Sequence, residues 1–151
     1  MDKQALGTQT ASDPIDCVRH IQQAINQHSL EALTECFHPD YQSQFPGHLD
    51  RSFSGTDQMR QNWTQIFAGV PDIQAKLLGA TADGDTVWAE WEWIGTRRDG
   101  ARHWQRGVTI QGVQHGQVKW VRLYMEPVQD AEAGAGTNAA VRQSLAGRES
   151  P

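Results

Sequence analysis

Apolar and polar positions change their spacing part-way along the chain. In the first half, apolar residues recur every three or four positions, as on one face of an amphipathic helix. From Asp72 onward they alternate with polar residues, which is the spacing of a β-strand. Helices followed by a run of antiparallel strands predict an α+β domain whose helices pack on one face of the sheet.

Three helices and one short strand are predicted in the first half. Asp13 and Ser29 precede apolar repeats and are the expected N-caps of the first two helices, because their side-chain oxygens can accept from free backbone N–H groups. Gly55-Thr56-Asp57 begins the third helix, which ends at Gly69. The short alternating segment Tyr41–Phe45 is predicted to be a strand.

Four longer strands are predicted in the second half. Turns are expected at Asp83-Gly84, Asp99-Gly100 and His115-Gly116, where two-residue hairpin turns need a positive φ. The predicted strands are Ile73–Ala82, Thr86–Thr96, Arg102–Gln114 and Gln117–Glu126.

The expected turn lengths also predict which side chains share a face of the sheet. Counting outward from each turn places Trp91 opposite Val108 and Trp93 opposite Arg106. The face expected to pack on the helices comprises Ala89, Trp91, Trp93, Arg106, Val108, Ile110, Val121, Leu123 and Met125. The opposite face is rich in aromatic residues around an expected Glu90–Arg122 pair, so a second copy of the chain is predicted to cover it. The homodimer interface predicted in this way comprises Trp88, Glu90, Trp120, Arg122 and Tyr124.

Composition and charge narrow the range of partners. The net charge is −5 and the 13 basic residues form no run, which argues against nucleic acid or an anionic membrane as partner. No apolar run approaches the roughly 20 residues of a membrane span, and the N-terminus lacks the layout of a secretory signal. We therefore expect a cytoplasmic protein with one domain over 13–128, a flexible arm over 1–12 and a flexible or weakly docked tail over 129–151.

The order of several short motifs resembles that of a known family. The motifs are Leu30–Leu33 leading to Phe37–Asp40, Gly55–Asp57 at the start of a helix, and the tryptophan-rich strand Gly84–Thr96. Over roughly 13–128 the chain resembles the SnoaL-like branch of the nuclear transport factor 2-like, or ketosteroid isomerase-like, superfamily. The resemblance implies a cone: a strongly curved antiparallel sheet wrapped around three N-terminal helices, with an apolar pocket at its wide end. Members of this superfamily include ketosteroid isomerases, polyketide cyclases, epoxide hydrolases, dehydratases, and binding or assembly domains.

One position departs from the cyclase pattern. SnoaL-type cyclases typically carry a His-Trp-Asp run on the last strand, with the carboxylate in the pocket. The corresponding residues here are Val121, Arg122 and Leu123, so leucine stands in place of the acid. A general base needs a titratable group within hydrogen-bond reach, so cyclase-type chemistry is not expected at this position.

The residues leave three functions open. The first is binding of a hydrophobic or aromatic small molecule, with Arg106 orienting its polar end. The second is a cofactor-independent isomerase, cyclase or hydrolase acting on a hydrophobic carbonyl-type substrate, with Tyr41, His48 and Asp50 as the acid/base set. The third is a non-catalytic dimeric assembly module. The predicted ligand-binding residues are Phe45, Arg51, Trp63, Trp91, Trp93, Arg106, Val108, Leu123 and Met125.

The sequence predicts neither a metal site nor a cofactor. The histidines share no ligand spacing with carboxylates, and Cys17 and Cys36 are expected to be buried thiols. Phosphate-loop, nucleophile-elbow and dinucleotide-binding motifs are absent from the sequence.

Overall fold

The computed structural model describes residues 13–129, 142 and 144–146. The predicted arm over 1–12 and most of the predicted tail lie outside the described residues.

Three helices begin at the predicted caps. They are α1 (Pro14–Asn26), α2 (Leu30–Glu35) and α3 (Thr56–Gly69). Asp13 Oδ1 accepts from the backbone N–H of Ile15 at 3.0 Å, and Ser29 Oγ accepts from that of Ala32 at 3.1 Å. Both predicted side-chain caps are therefore confirmed.

Six strands form one curved sheet in the order β2-β1-β6-β5-β4-β3. Only the β1–β6 pair of neighbours runs parallel. With the three helices, this confirms the predicted α+β cone. The bounds are β1 (Phe37–Gln44), β2 (Phe53–Ser54), β3 (Gln74–Asp83), β4 (Thr86–Thr96), β5 (Arg102–Gln114) and β6 (Gln117–Pro127), with a 3₁₀ turn at Leu49–Arg51.

The first strand begins earlier than predicted. It starts at Phe37 rather than Tyr41, because α2 already ends at Glu35 and Pro39 is compatible with extended backbone. The pairing of β1 with β6 is irregular between Phe37 and Gln42, the segment that contains the proline.

The predicted turn between β4 and β5 is one residue too short. The backbone N–H of Arg97 donates to Ala101 O at 2.8 Å, and that of Gly100 donates to Arg97 O at 2.9 Å. These bonds close a three-residue loop over 98–100, with Gly100 at φ 87°, instead of a two-residue Asp99-Gly100 turn. The register predicted between these strands is therefore wrong by one residue.

This slip reverses the two faces of β5. Trp91 pairs with Gly107, not Val108, and Trp93 pairs with Gln105, not Arg106. The predictions that Arg106, Val108 and Ile110 face the helices are therefore wrong, since a one-residue slip exchanges the faces of a strand. The β5 residues on the inner face are instead Gln105, Gly107, Thr109 and Gln111.

A second irregularity keeps β6 in its predicted orientation. Val113 pairs with Val118, but Gly112 pairs with Trp120, so Lys119 is an extra residue on β6. The extra residue in β6 offsets the one-residue slip of β5. Leu123 and Met125 therefore still face inward, opposite Thr109 and Gly107.

The core lies between α1, α2 and the inner face of the sheet. Val18, Ile25 and Leu33 are fully buried there against the aromatic residues of β4. Asn26 fixes α1 to the edge strand β3, because its side chain donates to Ala75 O at 3.0 Å and accepts from Ala75 N at 2.6 Å. The sheet is thereby held around the helices.

None of the helices in the described part of the chain has the length and apolar character needed to span a membrane.

Candidate functional site

A cavity of about 220 Å³ lies between the helices and the inner face of the sheet. It is large enough for an organic molecule, since an apolar cavity of about 150 Å³ can hold benzene. Arg106 and Val108, two of the residues predicted to line it, lie on the outer face instead. The predicted residues that do line it are Phe45, Arg51, Trp63, Trp91, Trp93, Leu123 and Met125.

Arg106 cannot orient a ligand in this cavity. Its Nε lies 3.1 Å from Glu92 Oε2 on the outer face, and its side chain is 53% exposed. Glu92 also accepts from the indole N–H of Trp104 at 3.0 Å. Arg106 faces outward because the hairpin loop is one residue longer than predicted, which moves the whole row containing Arg106 and Val108 to the outer face.

Three tryptophans form the aromatic wall of the cavity. Trp91 and Trp93 alternate inward from β4, with ring centroids 6.4 Å apart, and Trp63 reaches Trp93 from α3 at 5.6 Å. Trp91 is held in place because its indole N–H donates to Thr109 Oγ1 at 2.9 Å. The rings of both pairs meet at 62–64°, an edge-to-face arrangement that aromatic pairs prefer.

Two buried polar atoms on the cavity wall lack a hydrogen-bond partner among the described residues. They are the indole N–H of Trp93, a donor, and Oε1 of Gln111, an acceptor. Gln111 is only 2% exposed. Nearly all buried polar groups in proteins find a partner in the protein or in ordered water, so these two atoms are open to hydrogen bonding from within the cavity.

The residues described around the cavity include no carboxylate and no imidazole. Its ionisable members are Arg51 and Tyr41. Burial raises the pKa of Tyr41 to about 12, against a smaller lowering by a hydrogen bond with Ser43. The phenol is therefore protonated at neutral pH and acts there as a hydrogen-bond donor, not as a base.

The raised pKa of Tyr41 can be tested by titration. Tyr41 and Tyr124 are the two tyrosines of the sequence, so a Tyr124→Phe protein retains Tyr41 alone. Its tyrosinate absorbance should appear near pH 12 when folded and near the ordinary value of 10.0 in urea. Because the folded-state pKa is the higher one, the free energy of unfolding should fall as the pH rises above 10.0. Folded-state titration near 10.0 would contradict the burial of this hydroxyl.

An open depression of about 800 Å³ lies next to the cavity. The charged side chains on its lining are Asp50, Arg51 and Arg97. His103 is also on the rim, where burial and then the charge of Arg97 lower its pKa below 6.5, so its ring is uncharged at neutral pH. The residues common to both linings are Phe45, Arg51, Phe53, Asn62 and Ile66, so the depression forms the mouth of the cavity.

The predicted acid/base residues are not brought together. Tyr41 lines the cavity, whereas Asp50 lies in the outer depression. His48 Nε2 lies 2.8 Å from Oε1 of Glu126, in a partly exposed pair that joins the loop before β2 to β6. The geometry provides no shared reaction centre for the three.

The predicted interface residues lie on the outer face of the sheet, but in different rows. Glu90 pairs across the strands with Val108 rather than with Thr109, so the predicted row joining Glu90 to Arg122 is wrong, for the same reason as the register of β5. The guanidinium of Arg122 instead lies 4.7 Å from the ring centroid of Trp120. Trp88 and Tyr124 are 47% and 43% exposed.

Sequence reasoning missed the polar part of the cavity wall. Ser43, Gln105, Thr109 and Gln111 line it, and all but Gln105 are buried. An Asp-Gly pair also fits the last two positions of a three-residue hairpin loop, and that alternative would have turned the odd-numbered residues of β5 inward.

No cluster of three His, Cys, Asp or Glu side chains suited to a metal ion occurs among the described residues. Cys17 and Cys36 are free and buried, as predicted. Burial is the main cause that raises the pKa of the Cys17 thiol to about 12 and that of Cys36 to about 11. Neither is therefore a reactive thiolate at neutral pH.

Comparison with known proteins adds one sequence match and several structural ones. A sequence profile of the SnoaL-like domain matches residues 18–122. No curated protein sequence matches the chain.

The similar solved structures include proteins with different descriptions. Wild-type IdmH of Streptomyces antibioticus, a candidate polyketide cyclase, is 19% identical with a TM-score of 0.67, over 76% of this chain and 92% of that one. An epoxide hydrolase of M. tuberculosis is 16% identical with a TM-score of 0.65, over 75% and 82%. A hypothetical protein of Catenulispora acidiphila with a ketosteroid isomerase-like fold, solved with trimethylamine, is 15% identical with a TM-score of 0.63, over 71% and 82%. At such identities the likeness shows the fold.

Proposed function

The chain belongs to the SnoaL-like domain family, and from that premise we propose that it binds a small aromatic molecule in the tryptophan-lined cavity. One observation carries the proposal: a cavity between helices and sheet has an aromatic wall that also holds a free donor on Trp93 and a free acceptor on Gln111. Pockets of this kind use apolar surface for affinity and a few polar atoms for orientation.

The cavity favours a compact ligand with polar substituents. Its volume of about 220 Å³ suits a substituted single ring or a small bicyclic system, judged against about 150 Å³ for a cavity that holds benzene. A carbonyl or ether oxygen would accept from Trp93 Nε1, and a hydroxyl or N–H would donate to Gln111 Oε1. Tyr41 offers a further neutral donor.

Binding is a better-supported function than turnover. The cofactor-independent isomerase, cyclase or hydrolase considered above would need a base beside the substrate. The described lining residues supply a protonated phenol and a guanidinium, but no carboxylate or imidazole.

Filling the cavity tests the proposal. Leu123 lies on its wall, so Leu123→Trp should occupy the volume and weaken naphthol binding at least about tenfold, measured by titration calorimetry. The matched control is Leu49→Trp, since Leu49 is 77% exposed and does not line the cavity. This control should bind naphthol like the parent. Equal binding by a folded Leu123→Trp protein would refute the cavity as the site.

We also propose that a second copy of the chain covers the outer face of the sheet. Trp88, Ile94 and Tyr124 are each at least 40% exposed there. The strands also place both acidic and basic side chains on this face, so acidic groups of one copy can meet basic groups of the other across a two-fold axis. The acidic residues include Asp83, Glu90, Glu92 and Glu126, and the basic ones include Lys76, Arg102, Arg106 and Arg122.

A further inference from the structure

We infer that the ligand is an amphiphile whose anionic group, a carboxylate or a group of similar charge, stays at the cavity mouth on Arg51 and Arg97. This inference rests on the proposed binding function and specifies its ligand class. The aromatic part of the ligand enters the cavity, and its charged end stays in the outer depression.

The first argument is the continuity of the two spaces. Arg51 lines both the cavity of about 220 Å³ and the depression of about 800 Å³. Phe45, Phe53 and Ile66 are also shared, so an apolar passage runs past the guanidinium. A molecule seated between the tryptophans and extending outward must therefore pass Arg51.

The second argument is the sign of the charge at the mouth. Arg51 and Arg97 face one carboxylate, Asp50, on a chain whose net charge is −5. Neither guanidinium forms an ion pair or a side-chain hydrogen bond with a described residue. Two available guanidiniums beside an apolar entrance favour a carboxylate, which each can bind through two parallel hydrogen bonds.

The third argument is that the segments carrying both arginines are fastened to the domain. Arg51 ends a 3₁₀ turn whose neighbour His48 lies 2.8 Å from Glu126 on β6. Arg97 directly precedes the hairpin loop 98–100, and the first residue of that loop, Arg98, donates through Nε to Ala68 O at the end of α3. Side chains on anchored loops lose less freedom when they bind, which favours affinity.

The interior of the cavity is the wrong place for the charge. Its deep wall is formed by residues such as Ile25, Leu33, Val118 and Gln111, with no basic side chain among the described residues there. Burying an anion without a partner is costly, whereas the mouth supplies two cations in contact with water.

The test compares naphthylacetate with naphthylacetamide, which have nearly the same shape and differ in charge. Titration calorimetry should show that the acid binds about tenfold tighter than the amide, and that added salt reduces this ratio. In Arg51→Gln and in Arg97→Gln the ratio should fall towards one. Arg19→Gln is the matched control: Arg19 lies on α1, where it pairs with Asp16 at 2.7 Å, and it lines neither the cavity nor the depression, so this variant removes the same charge and should keep the ratio.

The outcomes separate this inference from the proposed function. If naphthol binds the parent protein but acid and amide bind equally, the charged mouth is refuted and the binding function stands. An acid preference that survives in the Arg51→Gln, Arg97→Gln double variant also refutes it. If naphthol, acid and amide all fail to bind, both proposals fall.

Discussion

Replacing Gly107 with alanine should lower the free energy of unfolding by about 3 kcal/mol, at the upper end of the cost of overpacking a core. A Cβ at this position would overlap the carbonyl oxygen of Tyr124 and lie 2.8 Å from Cα of Met125. Both are backbone atoms of the paired strand, so no side-chain rotation relieves the clash. Strands β5 and β6 would have to move apart directly beside Trp91.

Urea unfolding followed by far-ultraviolet circular dichroism measures this loss. Gly79→Ala is the matched control, because Gly79 also lies in a strand but has no heavy atom within 4 Å of the added Cβ. The control should stay within about 0.5 kcal/mol of the parent. Equal stabilities for the two variants would mean that β5 and β6 are not as close as described.

If two copies associate through the outer face as proposed, a Trp88→Glu protein should be monomeric at concentrations where the parent dimerises, with association weakened by two orders of magnitude or more. Trp88 is 47% exposed on the outer face, so its loss should leave the fold unchanged. A two-fold interface contains position 88 of both copies, so the single substitution changes two sites. It replaces two aromatic side chains in the interface with two unpaired carboxylates. Sedimentation velocity gives the association state directly.

The control for this experiment is Leu49→Glu. Leu49 is 77% exposed and lies in the 3₁₀ turn, outside the strands that form the outer face of the sheet. This protein should associate like the parent. A parent that sediments as a monomer at all concentrations, or a Trp88→Glu protein that remains dimeric, would exclude this face as the interface.

Local sequence signals were sufficient for the three helices and the four long strands, but not for the short strand β2 or the start of β1. Asp13 and Ser29 cap their helices as predicted, and β4 and β5 have the predicted bounds. These features depend on interactions between residues a few positions apart, so a short stretch of sequence is enough to predict them. The inward orientation of Trp91 could also be predicted, because side chains alternate between the two faces along β4.

The polar wall of the cavity required information that the local pattern lacks. Whether Thr109 or Val108 faces inward depends on the length of one hairpin loop, and an Asp-Gly pair fits loops of two or three residues. The bulge at Lys119 has no residue that signals it, because it depends on the pairing of β5 with β6. Both features are set by tertiary packing, so the site was harder to predict than the fold.

The three-residue loop between β4 and β5 determines which row of β5 side chains lines the cavity. Shortening it by one residue would exchange Gln105, Thr109 and Gln111 at the cavity wall for Arg106, Val108 and Ile110, without altering a single strand residue. Point mutations alter a binding site one side chain at a time, whereas a change of loop length replaces a whole row. Insertions and deletions at this hairpin are therefore an evolutionary route by which related domains can diverge in ligand preference in one genetic step.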